Sequence, residues 1–240
     1  MRAATLRHKH LRNAEETRAA ILQAAVEVFS HEGAAGARTD EIAKRAGVNK
    51  ALLYYYFKDK DALHAAVLDL AMGHIVPKLM AAIDSARDPR RQLMAYVDAH
   101  FDAIAANPVV MRIMQHELMR AREGGASHLR LIVERYHKPL SARIQQIIAN
   151  GIEQGQFRPV DPRHTTLSIA AIVIFYFMSA PVLRLLTGSD PYSERALEER
   201  RAAIHDFIAS SLFLRRERRN AAAAVAQRER KKGRASERKK

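Results

Sequence analysis

Apolar residues recur with helical spacing along nearly the whole chain. Ile21, Ala25, Val28 and Phe29 share one face of a helix expected to start at the Asn13/Glu16 capping pair and to stop near Gly33. Thr39 is positioned as the N-cap of a short second helix, whose Ile42, Ala43 and Ala46 form an apolar stripe that Gly47 ends. A third helix begins three residues later, and Asp61 opens a fourth, expected to run to about Met80 with a kink at Pro77. Punctuation at Asp88-Pro89, Asn107-Pro108, Gly124-Gly125, Gly151 to Pro162 and Gly188 to Pro191 cuts out five more stretches, near 88–106, 108–123, 127–155, 162–187 and 193–216. No segment alternates apolar and polar residues as a half-buried strand would. The pattern predicts an all-α protein of about nine helices, with an N-terminal three-helix helix-turn-helix unit ahead of a larger helical bundle.

The third helix carries the first functional hint. Residues 47–61 read GVNKALLYYYFKDKD, and successive side chains on a helix point about 100° apart, so three adjacent tyrosines cannot all face one core. With Leu53 and Phe57 turned inward, Tyr55 points nearly opposite, Ala51 lies beside it, and Tyr54 and Tyr56 sit on the flanks. A short helix ending at glycine, a tight turn with Val48 inward and a second helix is the arrangement that presents its second helix to the DNA major groove. The phenols can stack or donate to phosphate oxygens, and Lys58 and Lys60 bring charge to the same backbone. Tyr56 reads equally as packing or phosphate contact, and Arg18 equally as phosphate contact or solvated residue.

The run across residues 17–64 resembles the TetR family of bacterial transcriptional regulators. TRAAILQAAVEVFSHEG is similar to that family's first helix, and TDEIAKRAGVNKALLYYYFKDKDAL to its helix-turn-helix and the entry to helix four. Ile42-Ala43, Ala46-Gly47-Val48, Leu53-Tyr54, Tyr56-Phe57, Lys60 and Leu63 stand in the family's order and spacing. The resemblance implies phosphate contacts from Thr39, Tyr54, Tyr55, Tyr56 and Lys60, and places Asn49, Lys50 and Ala51 at base edges of a double-stranded operator. Lysine can reach the O6/N7 edge of guanine, and an alanine methyl can meet that of thymine.

It also implies a C-terminal domain that binds a small effector and forms a homodimer through its last two long helices. Ile169, Ile172, Val173, Tyr176 and Ala180 on one, and Ala203, Ile204, Phe207, Ile208 and Leu212 on the other, are the expected dimer interface. Met72, Met94, His100, Phe101, Met111, Met114, Gln115, His116, Leu118 and Tyr136 fall on helices that would surround a family effector cavity. Met side chains there suit a hydrophobic or aromatic small molecule, although ordinary core filling explains any single one equally well. The domain division is then a basic arm at 1–12, a DNA-binding domain at 13–60, an effector and dimerisation domain at 61–214 and a basic tail at 215–240.

Charge sharpens this division. The formal net charge is +14, and residues 215–240 hold 12 Lys/Arg against 3 Asp/Glu, while residues 1–18 hold 5 against 2. The remainder is close to neutral, so the basic ends can attract nucleic acid without choosing a sequence and selectivity must come from the body. The tail has only Ala and one Val as apolar residues and is expected to be disordered. The uncharged run TTLSIAAIVIFYFMSAPVL (165–183) has the length of a membrane span, but its two Thr, two Ser and Pro favour a helix buried in a bundle and by a second subunit. No h-region follows the N-terminal charges, and a cytoplasmic protein without membrane partners is expected.

Catalytic and cofactor motifs are missing from the local sequence. There is no Cys, His116-Glu117 does not complete HExxH, and no His spacing gives a closed metal site, so neither metal nor cofactor is expected. No phosphate-binding glycine loop or GxSxG elbow occurs. The expected function is a DNA-binding regulator, a repressor released from a pseudo-palindromic operator by its effector. The rival readings are an architectural DNA binder acting through the tail, and a helical enzyme or ligand carrier.

Overall fold

The computed structural model describes residues 2–122 and 127–214, with side chains from Ala14 onward. The predicted basic tail at 215–240 lies outside the described residues. In chain order the helices are α1 (Arg2–Gly36), α2 (Thr39–Arg45), α3 (Lys50–Tyr56), α4 (Lys60–Asp84), α5 (Pro89–Ala106), α6 (Pro108–Arg122) and α7 (Ser127–Ile132). A π turn, Val133–His137, leads into α8 (Lys138–Glu153), followed by α9 (Pro162–Met178), α10 (Ala180–Thr187) and α11 (Glu194–Leu212). Among the described residues the only β pairing is an isolated antiparallel bridge between Phe157 and Phe213.

Three departures from the sequence pattern have local causes. α1 runs through Asn13 to its break at Gly33, because residues 2–12 contain neither Pro nor Gly to stop a helix. The stretch expected at 127–155 widens into the π turn, where Pro139 has no N–H for the Arg135 carbonyl and its ring would crowd that oxygen. The stretch expected at 162–187 bends by 62° between α9 and α10. Pro181 does there to Phe177 what Pro139 does to Arg135, and the Ser179 hydroxyl donates to the Phe175 carbonyl at 2.6 Å. α4, by contrast, remains helical through Pro77 as far as Asp84.

The described residues fall into two compact units, those up to 76 with those of 107–137, and those of 77–106 with 138–214. In the first, α1 packs on α2 and α6, and α2 packs on α3. Ile21, Ala25, Val28 and Phe29 of α1 are buried along with Ile42, Ala43, Leu53 and Phe57, as the periodicity predicts, whereas Ala46 is half-buried; Leu63 and Val67 of α4 are buried too. Gly33 ends the regular run of α1 at φ 66°, a left-handed conformation that a side chain would strain, and the His116 ring lies 3.1 Å from where a Cβ would stand.

In the second unit α5, α8, α9 and α11 surround a core that includes Leu93, Tyr96, Val97, Ile144, Ile147, Ile148, Ile169, Val173, Ile204 and Ile208. Phe101 sits 4.9 Å from Phe177 by ring centroids, with the Arg201 guanidinium 4.7 Å from its ring. Arg201 pairs with Asp98 at 3.1 Å and also with Asp102, tying α11 to α5. The end of α11 is strapped down where Phe213 stacks on Phe157 at 5.2 Å, and Arg158 and Leu214 complete the bridge by donating to the carbonyls of Leu212 and Gln156.

Candidate functional site

The helix-turn-helix is set by its turn. α2 ends at Ala46, and Gly47 adopts φ 68°, which lets the Val48 N–H return to the Ala43 carbonyl at 3.0 Å. Val48 is half-buried, and Asn49, in an extended conformation, accepts from the Leu52 N–H through its side-chain oxygen at 2.7 Å to start α3. Only Leu53 of α3 is buried, with Phe57 closing the helix beneath it. Burying two such side chains stabilises by roughly 1.5–3 kcal/mol each, enough to fix the rotation of a seven-residue helix that could not hold itself in water.

That rotation places the tyrosines. Tyr55 is 80% exposed and Tyr54 40% exposed, while Tyr56 is half-buried on the flank with its ring edge-on to Tyr55 at 5.3 Å. The Thr39 hydroxyl lies 3.2 Å from the Tyr54 hydroxyl, so two of the expected phosphate contacts form one polar pair across α2 and α3. Thr39 is the first residue of α2 and not its N-cap. Arg38 holds that position, its carbonyl accepting from Ile42 at 3.2 Å. Ala51 and Leu52 are both exposed beside Tyr55.

The cations are more occupied than the sequence suggests. Lys50 reaches the Asp40 carboxylate at 2.9 Å, and this partner holds its ammonium above the usual lysine range. Lys60 donates to the carbonyls of Ala35 and Ala37 at 3.2 and 3.1 Å, which leaves one of its three protons for a phosphate. Arg18 lies over the Phe57 ring at 5.2 Å, a packing role on an exposed helix face. Asn49 spends its side-chain oxygen on the cap of α3, so its amide N–H groups are what it has for a base edge.

Seven of the residues expected around an effector, Met72, Met111, Met114, Gln115, His116, Leu118 and Tyr136, belong to the first unit, and Met94, His100 and Phe101 to the second. Met72, Phe101 and Tyr136 are buried, Met94, His100, Met111, Met114 and Gln115 half-buried, and His116 and Leu118 exposed. Tyr136 donates to the Asp69 carboxylate at 2.7 Å, and Tyr96 and His100 share a hydrogen bond at 3.1 Å. None of the ten lines a cavity of about 510 Å³ in the first unit, whose walls include Leu68, Leu131, Ile132, Asp69, His128 and Arg135.

The expected dimer residues sit mostly on the inner face. Ile169, Val173, Ala180, Ile204, Ile208 and Leu212 are buried within their own chain, Ile172 and Tyr176 are half-buried, and Ala203 and Phe207 are exposed. The large apolar side chains left bare on these helices are mostly others, Leu167, Phe175, Met178, Val182, Leu185 and Leu186 on α9 and α10, and share only Phe207 of α11 with the expected set. A helix apolar on all sides offers no period by which sequence could tell its inner stripe from its outer one.

One cluster joins side chains from three helices that the sequence reading does not bring together. His64 of α4, Glu117 of α6 and His128 of α7 are 2%, 1% and 6% exposed, and their ligand atoms lie within 4.8 Å of one another. Arg120 grips both Glu117 oxygens at 3.0 and 3.1 Å and approaches His128 Nδ1 at 2.7 Å, while His128 Nε2 lies 3.0 Å from Asp61. Burial pushes the His64 imidazolium down to about 4, so its ring is neutral near pH 7. The sequence signal was the break in binary pattern: Glu117 follows Ile113 by one turn at a core position, and His64 lies between Leu63 and Val67.

Two family models match this chain: "Bacterial regulatory proteins, tetR family" over residues 21–67, and "Tetracyclin repressor-like, C-terminal domain" over residues 89–208. The HTH-type transcriptional regulator RutR of Escherichia coli K12 is 30% identical over 187 residues, covering 75% of this chain and 83% of RutR. The HTH-type transcriptional repressor SCO4008 of Streptomyces coelicolor is 31% identical over 178 residues, covering 74% of this chain and 86% of the repressor. Among solved structures, the ketosteroid transcriptional regulator KstR2 of Mycobacterium tuberculosis superimposes with a TM-score of 0.67 at 20% identity, over 82% of this chain and 95% of KstR2. With a recognition helix presented by a glycine turn, and both halves matched by the family's models, the chain belongs to the TetR family of helix-turn-helix transcriptional regulators.

Proposed function

We propose that this regulator is a cytoplasmic, nucleoid-associated repressor that binds a pseudo-palindromic operator as a homodimer and is released by a small, mostly apolar effector. The observation that carries the reading is the outer face of α3, where Tyr55, Ala51 and the Thr39–Tyr54 pair stand together, held by the buried Leu53 and Phe57. Tyr54, Tyr55, Tyr56, Thr39 and the remaining Lys60 proton would take phosphates, while Asn49, Lys50 and Ala51 would face bases. For Lys50 this means exchanging Asp40 for guanine. SCO4008 bears the name of a repressor, which favours that sign of regulation.

Residues 13–60 would supply the DNA contacts and residues 61–214 the effector site and the dimer. Two recognition helices about 34 Å apart would then read two half-sites one turn of DNA apart. The bare apolar face of α9 and α10 supports a second copy of the chain as its cover, since large exposed patches on soluble proteins mark association sites. Effector binding would lower operator affinity, and linkage makes the operator weaken effector binding by the same factor. The reading treats the chain as a binding protein with no catalytic step.

Selection of genomic fragments by the purified protein at about physiological salt, where nonspecific phosphate binding is suppressed, tests this. Recovery of one short pseudo-palindrome supports the regulator. Recovery of no common sequence would favour the architectural reading, in which the basic tail alone holds DNA.

A further inference from the structure

We propose that His64, Glu117 and His128 form a divalent-cation site suited to Zn²⁺, and that the guanidinium of Arg120 serves it as a displaceable internal cation. Four-coordinate Zn²⁺ bonds imidazole nitrogen and carboxylate oxygen at about 2.0–2.2 Å, which puts neighbouring ligand atoms roughly 3.3–3.5 Å apart. His64 Nδ1 and His128 Nδ1 are 3.3 Å apart, and His64 Nδ1 and Glu117 Oε2 are 3.8 Å apart. Two imidazoles and one carboxylate, from three different helices, leave a fourth position open. The donor set excludes a preference for Mg²⁺, which takes oxygen ligands and keeps its water.

The proton arrangement also fits. His128 Nδ1 accepts from Arg120 at 2.7 Å, which puts the ring proton on Nε2, where it donates to Asp61 at 3.0 Å. A carboxylate on the far nitrogen of a ligating histidine fixes its tautomer and orientation and strengthens it as a ligand. His64 needs only to carry its proton on Nε2 for its Nδ1 to serve as a ligand.

Arg120 Nη2 touches two of the three ligand side chains, Glu117 at 3.1 Å and His128 at 2.7 Å, so a cation's place among them is held by a guanidinium. A buried carboxylate needs a positive partner, and either the arginine or a metal ion can be that partner. The Arg120 side chain is 26% exposed, close to Asp61, whose side chain is 67% exposed. It can therefore swing toward solvent and keep Asp61 as a partner when an ion enters. His128 also lines the 510 Å³ cavity, which gives the ion a path inward.

Zn²⁺ added to the full-length protein tests the proposal by isothermal titration and thermal melting, with Mg²⁺ as control. The expected result is one equivalent bound, a rise in melting temperature with Zn²⁺ and none with Mg²⁺. His64→Ala and His128→Ala are expected to abolish binding. Should either fail to fold, two changes at solvent-reaching groups decide in opposite directions. Asp61→Asn should weaken Zn²⁺ binding about 10–100-fold, the usual effect of losing such a partner. Arg120→Gln should tighten it, because Glu117 then lacks its internal cation. Absence of stoichiometric Zn²⁺ binding, binding that survives both histidine substitutions, or weaker binding by Arg120→Gln would overturn the proposal.

Discussion

Tyr55 is 80% exposed and Leu53, two positions earlier on the same helix, is fully buried, so equal truncations at the two sites should have opposite signatures. Tyr55→Ala removes a side chain that touches little of its own protein, and stability is expected to stay within about 0.5 kcal/mol. Operator affinity should fall by about fivefold for a lost phosphate hydrogen bond worth roughly 1 kcal/mol. Leu53→Ala should instead destabilise by about 2–5 kcal/mol and lose DNA binding only through the fold. Urea denaturation beside a mobility-shift titration separates the two, and a Tyr55 variant that unfolds early would show its ring to be core. The sequence could place Tyr55 because the 100° step between helical residues is independent of context. It could not show that Lys50 turns to Asp40, that Lys60 holds the carbonyls of Ala35 and Ala37, or that His64, Glu117 and His128 converge, since no periodicity relates residues on different helices.

Helix boundaries fall where the sequence places them when a glycine or proline stands there: α2 stops before Gly47, and α5, α6 and α9 begin at Pro89, Pro108 and Pro162. Within long apolar runs the same residues were outvoted. Pro181 announced the 62° bend after α9, yet the uncharged stretch around it read as continuous, and Pro139 widened a turn that periodicity carries straight through. Glycines inside helices record a further constraint that periodicity misses, namely how closely a neighbour approaches. A Cβ on Gly151 of α8 would stand 2.3 Å from the Phe157 ring, which is itself buried and stacked on Phe213. Gly151→Ala would displace that ring and loosen the strap at the end of α11, and overpacking of this kind costs about 1–3 kcal/mol. Denaturant midpoints would check it, and an unchanged or raised midpoint would mean the ring relocates freely.

Assembly and charge act on the molecule as a whole. Phe175 is 60% exposed on the bare face of α9, so Phe175→Glu is expected to yield folded monomers in sedimentation, with operator affinity reduced to that of a single half-site. The basic tail then poses the remaining question, because a surplus of nine positive charges would bind DNA whether or not α3 reads a sequence. Each phosphate neutralised steepens the fall of affinity with salt by nearly one unit on a double-logarithmic plot, whereas base contacts contribute little to that slope. A chain ending at Leu214 should therefore bind the same operator more weakly at low salt, with a shallower slope, and keep most of its preference over random DNA near physiological salt. Competition titrations across a salt series measure both quantities at once. If truncation left the slope unchanged, the tail would have no place on DNA. If it removed the preference itself, the exposed tyrosines of α3 would not be where this protein reads its target.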